Sequence, residues 1–432
     1  MGPFLGVVLA AGLLLGPRLA GLRDARSPAV SNLSPRPALP PPDEAARRLK
    51  VSPGFAIRIF ADNLFAGQPT LGFGSTGPRF MAFGPDGTLY VSMTAGGRIL
   101  RLADGNGYGL ADSVEVVLEG LFLPHGLEWH GGWLYVAEGD RVERFRFKPD
   151  GEVADRELVT DNIPKPEYHV TRTLHFGPDG KLYVSVGANC NICQPEDPRY
   201  GAILRFEADG SIPEDNPLWP GPGPQAADGL GLRPAQQRRL FLDGGWPALG
   251  NSQRGGPPGD ELPPEEVLVE VQAGRSHGWP YCHTPGLGPH PSSERREVPD
   301  PTLPAPPGFS CEEAVGALFT DLAHSAPLGA TLGTEALFPA EYRGSVYVAY
   351  HGSWATRVEN SRDCKVERIL LAGGRPVGHE TFVSGWRAPG KRCGDAETWG
   401  RPADVTVGPD GALYISDDHG GRIYRVVYTG TR

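Results

Sequence analysis

The stretch His169-Val-Thr-Arg-Thr-Leu-His-Phe-Gly-Pro-Asp-Gly-Lys-Leu-Tyr-Val-Ser-Val-Gly187 decides how the chain is read. It predicts a strand over Arg172–Phe176, a turn at Gly177-Pro178-Asp179-Gly180 and a second strand over Lys181–Val186. Proline presets one backbone angle of the turn, and Asp-Gly tolerates the left-handed residue a hairpin needs. Leu182, Val184 and Val186 alternate with Tyr183 and Ser185, so the hairpin is expected to pack on both faces. His169 and Arg172 stand at its mouth, ahead of the apolar run. A lone histidine there is more often structural than catalytic. Recurrence changes the odds.

The same unit returns along the chain. It stands at Arg79-Phe-Met-Ala-Phe-Gly-Pro-Asp-Gly-Thr-Leu-Tyr-Val-Ser92 and, with Gly131-Gly132 as its turn, at His125–Ala137. A looser copy covers Phe338–Ala349, and Arg401–Ser416 closes the series. The first three turns fall near residues 84, 131 and 177, gaps of 47 and 46 that match one propeller blade. Further short strands are expected at 98–102, 142–147, 203–207, 365–371 and 422–428, making about four strands per repeat. The expected fold is therefore all-β, a six-bladed β-propeller with four-stranded blades over residues 47–432, with long insertions between 187 and 335. A β-sandwich does not predict such a repeat. Helical periodicity is nearly absent, and only Pro263–Val271 offers room for a turn or two.

Composition agrees with this. The chain of 432 residues holds 60 glycines and 45 prolines, which favours turns over long helices. A net charge of -10 provides no basic field, so a nucleic-acid partner is not expected. Residues 1–20 carry a short apolar run, Phe4–Leu15, expected to be an export signal, with a signal anchor as the alternative and no stable membrane span in the mature chain. Residues 21–46, with Pro35-Arg36-Pro37 and Pro40-Pro41-Pro42, form an expected Pro-rich extended linker. This predicts a periplasmic or secreted protein. Six cysteines fall into neighbouring sets, 190 with 193, 282 with 311 and 364 with 393. An even count behind an export signal favours disulfides, although fifteen connectivities are open to the sequence. Cys190-Asn-Ile-Cys193 could instead be redox-active or half a zinc site, but no second CxxC or paired histidines complete one.

Within the repeat the polar residues fall into register. Arg79, His125, Arg172 and Arg401 each stand at or just before the first strand of a hairpin, with His169 three residues upstream of Arg172. His351 follows the equivalent strand pair in His351-Gly-Ser-Trp354. Equivalent positions in a propeller converge on the axis. A single arginine there could merely solvate a loop rim. Several together, in an acidic protein, suit a ligand with several carboxylates or phosphates.

His169-Val-Thr-Arg-Thr-Leu, the hairpin behind it and Cys190-Asn-Ile-Cys193 resemble the glucose/sorbosone dehydrogenase family. Gly259-Asp-Glu-Leu-Pro-Pro264, Gly278-Trp-Pro-Tyr281, His324-Ser-Ala-Pro-Leu-Gly329, His351-Gly-Ser-Trp354 and Trp399-Gly-Arg-Pro402 extend the resemblance over about residues 50–430. The L-sorbosone dehydrogenase branch looks most similar. The resemblance implies a six-bladed propeller enzyme that uses pyrroloquinoline quinone (PQQ) and calcium to oxidise a sugar. It makes His169 the base that takes the hydroxyl proton, and gives Arg233 the arginine that stabilises the oxyanion. Arg79, His351 and Arg401 become the first cofactor-binding candidates, with Arg172 as a further cofactor-binding residue beside the cofactor. Lys365 resembles a cofactor-binding lysine of the same blade but could equally be an outward strand residue. With no CxxCH haem motif, electrons would pass to an external acceptor such as a cytochrome or quinone.

One segment departs from the family pattern. Leu232–Pro258 is rich in Gly, Pro and Arg and shows no strand alternation where a blade is expected, so it resembles a diverged blade four. The calcium-carbonyl loop is expected within Leu249–Gly256, and no metal ligand is assigned. Two other functions fit a propeller: a calcium-dependent lactonase-like hydrolase, which needs an acidic metal cluster, and a non-catalytic module that binds a ligand or partner.

Overall fold

The Gly-Pro-Asp-Gly sequence builds one structure three times. In the computed structural model, Gly87, Gly180 and Gly411 take positive φ of 82°, 72° and 72°. Each donates its amide to the glycine three residues earlier, at 3.0, 2.9 and 2.8 Å. Each aspartate, Asp86, Asp179 and Asp410, accepts from the amide two residues ahead. Asp179 and Asp410 also take the hydroxyls of Tyr183 and Tyr414 and the guanidinium groups of Arg205 and Arg425. Those tyrosines and arginines are cross-strand partners. The aspartate thus closes the turn and latches the next two strands.

The structure describes residues 39–65, 76–190, 193–216, 236–239, 249–251, 260–269, 271, 275–286, 288–292, 296–333, 338–353 and 356–430, with backbone alone at 236–239 and 249–251. Blade one contains Met81–Phe83, Leu89–Met93, Arg98–Ala103 and Ser113–Leu118. Blade two contains Leu127–His130, Trp133–Ala137, Val142–Phe147 and Val153–Thr160. Blade three holds Arg172–Phe176, Leu182–Val186 and Ala202–Phe206. Blade five comprises Pro327–Gly333, Ser345–Tyr350, Lys365–Ala372 and Arg375–Ser384, extended at its edge by Lys50–Val51. In blade six, Pro402–Val407, Leu413–Asp417 and Arg422–Tyr428 take their outer strand from Phe55–Ala61. Joining an early strand to the last three in one sheet closes the ring of blades.

Blade four is present where the sequence offered no alternation. Gln236–Arg239 pairs with Leu249–Asn251, which abuts Glu265–Leu268, itself paired with Phe319–Asp321. Backbone hydrogen bonds with neighbouring strands override the weak local pattern. The innermost strand of every blade contacts the next, so six inner strands encircle the axis. The expected all-β six-bladed propeller is what the chain forms, with three to five strands per blade among the described residues.

Two local expectations need correction. The described residues of Pro263–Val271 hold no helical turn: Glu265–Leu268 is a buried strand. The end of the expected extended linker is a short helix, Glu44–Arg48, capped by the Asp43 carboxylate on the amide of Ala46. The other Asp43 oxygen accepts from the Ile59 amide at 2.6 Å, and Ala45 and Leu49 enter the core against Phe55. These ties dock the segment on the propeller. Residues 1–38 lie outside the described residues, and no described helix is long and apolar enough to cross a membrane.

The cysteines pair as their neighbourhood implied: Cys190 with Cys193, Cys282 with Cys311, and Cys364 with Cys393. The zinc alternative for Cys190 and Cys193 falls with it.

Candidate active site

The end of the inner strands opposite the Gly-Pro-Asp-Gly turns carries the polar register. Asp418, just past the second strand of blade six, is the residue around which it assembles. Its carboxylate is fully buried, and it accepts from Nη1 of Arg79 and, at 2.7 Å, from Nε2 of His351. Burial by itself would raise the Asp418 carboxyl; the adjoining His351 and Arg79 hold it well below the usual range. Arg401 donates from Nε to the His351 carbonyl at 2.9 Å and from Nη2 to the Gly352 carbonyl at 3.1 Å. Arg79, His351 and Arg401, from blades one, five and six, therefore meet around one carboxylate.

Burial is the main force on the cations here. It lowers Arg401 to about 10, which leaves the guanidinium charged at neutral pH. His351 is pushed down to about 3, first by burial and then by the positive Arg401. A neutral His351 that donates from Nε2 to a carboxylate carries its lone pair on Nδ1.

The arc continues through blades one to three. Phe80 lies 4.2 Å, centroid to centroid, from the ring of buried His125. The Gly126 amide donates to the Arg172 carbonyl at 3.0 Å. Arg172 is completely buried, and its guanidinium donates to the carbonyls of Pro164, His169 and Thr171. Arg172, expected beside the cofactor, is thus built into the loop that carries His169. Nδ1 of His169 lies 2.8 Å from the Ala188 carbonyl oxygen. A carbonyl only accepts, so Nδ1 bears the proton and the lone pair sits on Nε2.

Lys365 begins the third strand of blade five, at the same end, but its ammonium is engaged. Nζ lies 2.7 Å from Glu367, 4.0 Å from Asp321 and 5.1 Å from the Tyr350 ring centroid. Arg233 lies outside the described residues, as does most of the expected calcium loop; Leu249–Asn251 within it is strand. In sequence Arg233 precedes the inner strand Gln236–Arg239 much as His169 precedes Arg172–Phe176.

Sequence reasoning passed over Asp417, Asp418 and Glu138. The Asp417 side chain caps the amides of Arg401 and Gly420 and takes the Tyr424 hydroxyl. Glu138 follows Leu-Tyr-Val-Ala in blade two as Asp417 follows Leu-Tyr-Ile-Ser in blade six. It accepts from the Phe122 amide, and burial raises it to about 7. The repeat held the signal: Gly139, Gly187, His351 and Asp418 all occupy the same place after the second strand.

Residues 134–304 match the family model described as Glucose / Sorbosone dehydrogenase. Over these residues the chain is similar to the glucose/sorbosone dehydrogenases. A family described as a domain of unknown function also matches, over residues 41–212. An uncharacterized protein of Borreliella burgdorferi is 22% identical over 398 residues, 89% of this chain and 92% of its own. Among solved structures, the calcium structure of the Trichoderma reesei Carbohydrate-Active Enzymes Family AA12 protein superposes with a TM-score of 0.65 at 18% identity, covering 88% of this chain and 97% of its own. The holo form of the pyranose dehydrogenase PQQ domain from Coprinopsis cinerea gives 0.62 at 20% identity, over 90% and 99%. The apo-form of the soluble aldose sugar dehydrogenase of Escherichia coli gives 0.57 at 20% identity, over 87% and 99%. At these identities the superpositions show the fold alone.

Proposed function

We propose that the chain is a PQQ- and calcium-dependent sugar dehydrogenase, with His169 as the base. The observation that carries this is the state of Arg79. Its side chain is buried, one nitrogen meets Asp418, and Nε and Nη2 meet no acceptor among the described residues. A buried guanidinium with unmatched donors favours an anion with oxygens in a plane. PQQ is a flat tricarboxylate and fits that need. Arg79, His351 and Arg401 would hold it, whereas Lys365 is already paired with Glu367 and Asp321.

When bound, PQQ supplies the acceptor for the sugar's hydride. The protein's part is the proton and the charge. Nε2 of His169, with Nδ1 committed to Ala188, receives the proton of the sugar hydroxyl. Arg172 positions that histidine through its hold on the His169 carbonyl. Arg233 takes the oxyanion-stabilising role that the family resemblance gives it. Calcium would be held by carbonyls in Leu249–Gly256, and electrons would leave to an external cytochrome or quinone. Three disulfides support an oxidising compartment and, with residues 1–20 as export signal and 21–46 as linker, a periplasmic or secreted enzyme. The lactonase reading is disfavoured because Asp418 is occupied by Arg79 and His351.

The test is spectroscopic. Protein mixed with PQQ and calcium should bind the cofactor at micromolar concentration, and an aldose should bleach it to the quinol. His169→Ala should keep binding and lose most turnover. Absence of PQQ binding would leave a ligand-binding propeller instead.

A further inference from the structure

His169 closes twice on one residue of the following strand end. Its amide donates to the Ala188 carbonyl at 3.2 Å, and Nδ1 reaches the same oxygen at 2.8 Å. The approach is so tight that a Cβ on Gly187 would lie 2.5 Å from Cβ of His169 and 2.7 Å from its carbonyl oxygen. The position of one peptide plane, 188–189, which carries the Ala188 carbonyl, therefore sets both the place and the tautomer of His169.

Two residues beyond Ala188, Cys190 is bonded to Cys193. Cys190 packs with Ala188 and Trp279, both buried. The excursion that leaves blade three here is also tied at Gln194, which accepts from the Tyr281 hydroxyl at 2.7 Å. At its far end, Tyr200 donates its hydroxyl to the Lys165 carbonyl, in the segment leading to His169, at 2.7 Å.

A bridge between residues three apart restrains little of the unfolded chain, because loop-closure entropy grows with the length of the loop. The other two disulfides each join residues 29 apart and do much more of that work. What the short bridge restrains is local: the backbone that presents the Ala188 carbonyl.

We infer that the Cys190–Cys193 disulfide is a positioning element for His169, locking the Ala188 carbonyl that fixes its tautomer, and that opening the disulfide weakens turnover without releasing the cofactor. The inference rests on the proposed role of His169. It also makes the enzyme sensitive to thiols. A dithiol that opens the bond breaks one S–S, leaves two protein thiols and is itself oxidised to a disulfide, so two electrons and two protons pass to the protein.

The experiment uses the whole chain loaded with PQQ and calcium. In Cys190→Ser/Cys193→Ser, PQQ affinity should stay within about twofold, while kcat falls about tenfold or more with KM little changed. Imidazole ¹⁵N NMR should show His169 as a single Nδ1–H tautomer in the native protein and as a mixture in the variant. Wild-type protein reduced only at this pair, as checked by alkylation and peptide mass mapping, should behave like the variant and recover on reoxidation. That arm decides the matter should the variant not fold. A variant with native kcat and a single tautomer overturns the inference. If the native protein oxidises no sugar, the proposed function fails, and the NMR comparison still tests the lock.

Discussion

Nε2 of His351 in blade five donates to the carboxylate of Asp418 in blade six at 2.7 Å, and the second oxygen of that carboxylate takes Arg79 from blade one. One buried anion thus ties three blades at the axial end of the propeller. Asp418→Ala leaves Arg79 buried without its counter-charge. Breaking one partner out of such a pair costs about 3–5 kcal/mol. Urea unfolding of the variant should show a loss of that order, accompanied by weaker PQQ binding.

His351 gives a pH dependence of known sign. Its folded value is about 3, against an ordinary 6.5, so the folded protein binds fewer protons than the unfolded chain between these values. Its contribution to stability is complete above about pH 6.5 and is lost as pH falls toward 3. His351→Gln should reduce the slope of urea midpoint against pH in that window. An unchanged slope would place the acid sensitivity elsewhere.

Glu138 acts in the opposite sense. Burial lifts it from 4.5 to about 7, so the folded state holds a proton that the unfolded chain has released. Its contribution is complete below about pH 4.5 and is lost as pH rises through 7. Glu138→Gln, permanently neutral, should remove this fall in stability, which unfolding at pH 5 and pH 8 will show.

The Cys364–Cys393 disulfide supports the site from behind. Cys393 lies so near Gly352 that a Cβ there would meet its sulfur at 2.6 Å, and the Gly352 carbonyl accepts from Arg401. Replacing both cysteines by alanine should cost about 2–4 kcal/mol of stability, the usual range for such a bridge. Arg401 should also lose its fixed geometry, seen as weaker PQQ binding beyond the stability loss.

The repeat made the fold legible. Alternating apolar residues and the Gly-Pro-Asp-Gly turn are local signals, and the strands at 142–147, 172–176 and 422–428 stand at their expected bounds. Blade four was hidden because Gln236–Arg239 has no alternation of its own and is strand only by virtue of its neighbours. Glu44–Arg48 was hidden for a similar reason: a single turn of helix is marginal alone, and here Asp43 and the core hold it.

For the site, the sequence by itself determined which residue types recur at the inner-strand mouths: Arg79, His125, His169 with Arg172, His351 and Arg401. Only the tertiary structure decided what each one touches. The guanidinium of Arg172 and that of Arg79 look alike in the repeat, yet one is engaged by three backbone carbonyls and the other keeps two donors unmatched among the described residues. Asp418 could not be valued from the chain, because Arg79 is 339 residues away and charge acts across space, not along sequence. The same holds for the stretch His169–Gly187. Its hairpin is written in its own residues, whereas the tautomer of His169 depends on a carbonyl 19 residues ahead that folding brings to 2.8 Å.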